Sequence, residues 1–78
     1  MMVRSVMLEG RESGMGFLMT FDVASDSEEE AIRLALCEAR ELDLDIVGVE
    51  EVSLKSEIHA GSAPGVLKRY GKGFFDLQ

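Results

Sequence analysis

The feature that most limits what this chain can become is the run Ser25-Asp26-Ser27-Glu28-Glu29-Glu30. A hydroxyl or carboxylate followed three residues later by Glu is a capping box. Here three overlap: Ser25 with Glu28, Asp26 with Glu29 and Ser27 with Glu30. The carboxylates also lie where the helix dipole favours negative charge. Behind them, at 100° per residue, Ala31, Ile32, Ala35, Leu36, Ala39 and Leu42 fall on one arc of roughly 140°, the width of a core-facing stripe. The spacing therefore predicts one amphipathic helix from Glu28 to about Asp43. Glu29 and Arg33 are placed to pair on its wet side. Leu34 and Cys37 fall off the stripe, either as single exposed apolar residues without a role or as a small apolar patch for another chain.

Everything around the helix reads as strand. Met2–Glu9 is apolar on both faces, and Gly10 to Gly14 is a polar, glycine-bracketed loop. Phe17, Met19, Phe21 and Val23 then alternate with Leu18, Thr20 and Asp22, a period of two. After the helix, Ile46 to Lys55 is a third strand whose apolar parity switches, with Val47 and Val49 odd and Val52 and Leu54 even. A parity switch needs a bulge, and Glu50-Glu51 is its natural place. Gly73–Leu77 is a fourth strand, leaving residues 59–72 as a long connection.

The order strand, strand, helix, strand, strand gives a two-layer α+β domain over residues 1–78, with one helix on a mostly antiparallel four-stranded sheet. A single helix covers one face. The other face is expected to show some of Met2, Val6, Leu8, Leu18, Val47 and Phe74, and so to need a partner. With only 78 residues to build a core, a homodimer or tight hetero-complex through that face or an edge strand is expected.

Composition excludes several function classes. One cysteine and one histidine leave no intramolecular disulfide and too few ligands for a Cys/His zinc site. No apolar run reaches the ~18 residues of a membrane span, and no signal-peptide layout opens the sequence, so a cytoplasmic protein without membrane or cofactor is expected. Glu28, Glu29 and Glu30 point in three directions from a helix and lack the spacing of a calcium loop. His59 has no positioned nucleophile or orienting group, so the chain is read as non-enzymatic. Residues 62–73 could form a short turn capped by Ser62 and closed by Gly71, bringing Lys68, Arg69 and Lys72 near Tyr70. No P-loop spacing occurs there, and three bases in a chain of net charge −7 make a poor nucleic-acid footprint.

The charge is not spread evenly. Residues 1–24 carry a net −1, residues 25–57 a net −8 and residues 58–78 a net +2. Capping explains the acids from Asp26 to Glu30. Glu38, Glu41, Asp43, Asp45, Glu50 and Glu51 are left as candidate contacts for a basic protein, with Leu34 and Cys37 beside them. The alternative is a dimeric domain holding a small anionic ligand through Ser62, Lys68, Arg69 and Tyr70.

The segment Gly16-Phe-Leu-Met-Thr-Phe-Asp-Val-Ala24, followed by Ser27-Glu-Glu-Glu-Ala-Ile-Arg-Leu-Ala-Leu36, resembles the strand–cap–helix unit of small bacterial ββα domains, the HicB-type antitoxins and the DpnD/PcfM-like proteins. The resemblance spans about residues 16–41. The HicB-like pattern carries Pro-Gly after its second strand, where this chain has Ala24-Ser25. The resemblance implies a non-catalytic binding role, of an antitoxin or immunity type, and carries over no functional residue.

Overall fold

The computed structural model describes residues 1–58 and 62–77. His59, read above as a loop histidine, lies outside the described residues. The chain runs β1 (Met2–Glu12), β2 (Met15–Ser25), α1 (Glu28–Glu41), β3 (Asp45–Glu57), β4 (Gly65–Arg69) and β5 (Gly73–Phe75). The sheet order is β3-β1-β2-β4, with β5 following β4 along the same edge of β2. Every paired strand is antiparallel. Hence β2 and β3 are parallel to each other with β1 between them, and α1 is the crossover that joins them. The α+β class with one helix on an antiparallel sheet stands, with five strands rather than four.

The first hairpin is tighter than a five-residue loop. Glu12 pairs with Met15, leaving only Ser13 and Gly14, both at positive φ (51° and 80°). Two positive φ values in a two-residue loop are the geometry whose twist matches that of the strands, and Gly14 enters it without a Cβ penalty. Arg11 and Glu12 are therefore strand residues.

Register divides the sheet into two faces. Val6 and Leu8 of β1 pair with Phe21 and Met19 of β2, and with Phe17 and Val23 they form the buried core beneath Ala31, Ala35 and Ala39 of α1. Alanine at every fourth helical position lets α1 approach the sheet closely. Gly10 does the same within the sheet, because a Cβ there would stand 2.3 Å from the Phe17 ring and 2.7 Å from the Asp45 carbonyl oxygen. The expectation that Val6 and Leu8 lie on an uncovered face is thus corrected, since both are fully buried under the helix.

The helix is built as its cap predicts, by one box of the three. Ser27 is the N-cap: its Oγ accepts from the Glu30 N–H at 3.1 Å, and Glu30 Oε1 accepts from the Asp26 N–H at 2.9 Å. Ser25 is instead buried at the end of β2, donating to the Ser27 carbonyl and accepting from Arg4. Arg33 pairs with Glu30 rather than Glu29. The buried stripe is turned by roughly 40° from the expected arc. Leu34 packs on the core, whereas Leu36 is exposed. The helix closes with Leu44 N–H to Ala39 C=O and Asp43 N–H to Arg40 C=O, with Asp43 at φ 57°. That is a Schellman closure with aspartate in the left-handed position usually held by glycine.

β3 contains three bulges. Along β1 its register skips Val47, Glu50 and Lys55. Skipping Val47 and Glu50 puts Ile46, Val49 and Val52 on the helix side, across from Gly10, Leu8 and Val6. The predicted bulge at Glu50-Glu51 falls on Glu50. The expected 59–72 loop with its capped turn is corrected: Gly65–Arg69 is a strand, because Val66 and Arg69 find partners on β2 at Val23 and Phe21.

Candidate protein-binding surface

The open face of the sheet, away from α1, carries a polar cluster beside Val3, Met7 and Leu18, the last where the sequence placed it. Asp22 sits at its centre, 4% exposed. Ser5 Oγ donates to Oδ1 at 2.7 Å, while Lys55 Nζ and Tyr70 OH donate to Oδ2 at 2.5 and 2.7 Å. Lys55 Nζ also donates to Tyr70 OH at 2.9 Å. Burial pushes the Asp22 carboxyl up, but donation from Lys55, Tyr70 and Ser5 outweighs it and holds the group below its ordinary 3.8. Lys55 is in turn pushed up to about 12 by its bonds to Asp22 and Tyr70. Lys55 reaches inward because it is a bulge residue, the usual way an edge strand re-aims one side chain. The cluster ties β1, β2, β3 and the end of β4 together, and both Asp22 oxygens are occupied by donors. Sequence reasoning missed it, because one acid on the wet side of an alternating strand looks like any solvated residue.

The four residues of the anion-binding alternative are dispersed. Lys68 and Tyr70 lie on the open face, the Lys68 Nζ 4.7 Å from the Tyr70 ring centre. Arg69 is on the helix face, bound to Glu38 at 3.5 Å. Ser62 is exposed before β4 begins.

The acidic candidates fall into two groups and one exception. Glu38 is the exception, half-buried and engaged by Arg69. Glu41, Asp43 and Asp45 gather, exposed, at the end of α1 and the start of β3. Asp43 and Asp45 line a cleft of about 530 Å³ floored by Leu36, Leu44 and Ile46, with Arg40 at its side. Glu50 and Glu51 lie halfway along β3, exposed and on different paths, Glu50 in a bulge and Glu51 on the open face opposite Met7. Leu34 is taken up by the core and Cys37 is exposed, so the two do not form a joint patch.

The outer edge of β3 has no strand beside it among the described residues. Eleven of its thirteen residues are exposed, including Val47, Val49 and Leu54 at 53%, 40% and 63%. Its acids Asp45, Glu50, Glu51 and Glu57 make no salt bridge among the described residues; its one base, Lys55, is spent on Asp22. No group of three or more His, Cys, Asp or Glu side chains among the described residues is placed to hold a metal. No described helix is long and apolar enough to cross a membrane. Comparison with protein-family models, curated proteins and solved structures gave no match to this chain.

Proposed function

We propose that this protein is a non-catalytic interaction module, of the antitoxin or immunity type, whose β3 side receives a basic protein. The observation that carries this reading is β3 itself: an edge with no strand beside it and four carboxylates without a salt bridge among the described residues, interleaved with exposed Val47, Val49 and Leu54. Charge supplies fast, oriented association, and the apolar side chains supply area to bury.

The end of α1 adds to the negative field. A helix C-terminus is already the negative pole of its dipole, and cations normally stand there. This chain places Glu41, Asp43 and Asp45 at that pole, with Arg40 the only base in the last turn. Such an arrangement costs stability, and a basic partner would relieve it.

Affinity capture from native lysate, comparing wild type with the triple variant Asp45→Lys, Glu50→Lys, Glu51→Lys, tests the reading. A basic protein should be retained by wild type, lost with the variant, and lost as salt rises from about 0.05 to 0.3 M. Equal capture by the two proteins, with no dependence on salt, would overturn it.

A further inference from the structure

The sheet is wider than its one helix can cover. Four strands at ~4.8 Å spacing make a face roughly 19 Å across, whereas a helix is roughly 10 Å wide. The buried alanines seat α1 over the core of β1 and β2, and its flank reaches Ile46 and Val52 of β3, leaving the outer part of β3's helix side uncovered. Ile46, Val49, Val52 and Leu54 share the helix side of β3 by register, yet Val49 and Leu54 remain exposed. Leu36, turned off the buried stripe of α1, lines a cleft with Ile46 and so walls the Ile46 end of this trough. Two bulges are needed to bring Ile46, Val49 and Val52 onto one side. Ile46 and Val52 pack against the core from there, and Val49 and Leu54 are left over on the same side, exposed.

We infer that this trough is the seat of an amphipathic, basic helix of the partner, lying beside α1 and completing the helical layer. The inference rests on the proposed binding of a basic protein and names the element that binds. Length agrees: Ile46 to Leu54 spans six steps of β1, from Gly10 to Arg4, or roughly 20 Å. That is the length of about 14 helical residues. Charge agrees too: Asp43 and Asp45 outnumber Arg40 at one end, Glu57 stands at the other, and Glu50 lies in the bulge between. A second copy of this chain does not suit the trough. Its own helix would bring Glu28, Glu29 and Glu30 against those carboxylates.

The test uses two labelled peptides of about 18 residues and identical Leu/Lys composition, one with leucines at helical spacing and one alternating. Fluorescence anisotropy measures affinity, and amide chemical shifts map the contact on the full chain. The helical pattern should bind at least about tenfold tighter and shift Leu36, Ile46, Val49, Val52 and Leu54. The variant Val49→Ser, Leu54→Ser should lose about tenfold in affinity while its melting temperature stays close to wild type, since both residues are exposed. Equal binding of the two peptides, lost with Glu50→Lys, Glu51→Lys but not with the serine variant, overturns the helix seat and leaves the acidic-surface reading standing. Binding that neither variant alters, or no binding at all, removes both. A dimer in sedimentation that dissociates on Leu54→Ser assigns the trough to a second copy and overturns the inference.

Discussion

At residue scale, single positions are decided by whether a backbone conformation or a contact distance tolerates the side chain present. Asp43 is the clearest mismatch: it holds a left-handed φ of 57° and puts negative charge at the negative end of α1. Asp43→Gly should stabilise the protein by about 0.5–1 kcal/mol, read as a midpoint rise of a few degrees in thermal unfolding. Asp43→Asn separates the two contributions, since it keeps the conformational cost and removes the charge. Gly10 is the opposite case. Gly10→Ala forces a methyl into the Phe17 ring and the Asp45 carbonyl, and the carbonyl belongs to backbone that cannot swing away. A loss of about 2–3 kcal/mol in urea unfolding is expected. Asp43 is readable from sequence as a helix end but not as a left-handed residue. Gly10 reads as the start of a loop, because a glycine beneath an aromatic ring and a glycine in a turn look alike in one dimension.

At the scale of elements, the cap, the hairpin strands and the Glu50 bulge were legible because each is a local pattern with a local cause. The rotation of α1 was not. Leu34 and Leu36 differ only by where β3 and β4 come to rest around the helix, and Glu38 is drawn toward Arg69 on β4. β4 was hidden for the same reason: Gly65–Arg69 is a strand by virtue of β2, and its own residues equally suit a turn. The cluster around Asp22 gives this scale its pH behaviour. Asp22 has a depressed folded pKa, so its contribution is present above the unfolded value of about 3.8 and is lost as pH falls through the folded one. Lys55, raised to about 12, contributes below its ordinary 10.5 and loses that contribution as pH passes 12. Stability from this cluster should therefore be flat between about pH 5 and 10 and fall on both sides, measured by unfolding midpoints across pH. Tyr70→Phe removes one donor to a buried carboxylate and should cost about 1–2 kcal/mol at neutral pH while weakening the acid-side fall. An unchanged acid limb in Tyr70→Phe would show that the fall comes from other carboxylates.

At the scale of the molecule, the sum of −7 conceals a division of labour. Acids at the start of α1 cap it, Asp22 ties strands together, Glu38 ties α1 to β4, and the acids of β3 and the end of α1 are left facing outward. Those outward charges also guard an open edge. Glu50→Val, Glu51→Val should raise self-association steeply with concentration, followed by light scattering, because charge on an exposed strand is a main barrier to edge pairing. No difference from wild type would mean that the bulges alone suffice. The Lys55 tether has a mechanical consequence for this same edge. An outermost strand ordinarily peels from its free end, one rung after another. Here the rungs near Val52 and Ser53 cannot part until the ammonium of Lys55 leaves Asp22 and Tyr70, so peeling from the Glu57 end meets a latch within three residues. The middle of β3, around Gly48, then becomes the weakest stretch of the strand. Amide exchange should be faster there than at Val52, and Lys55→Ala should erase the difference.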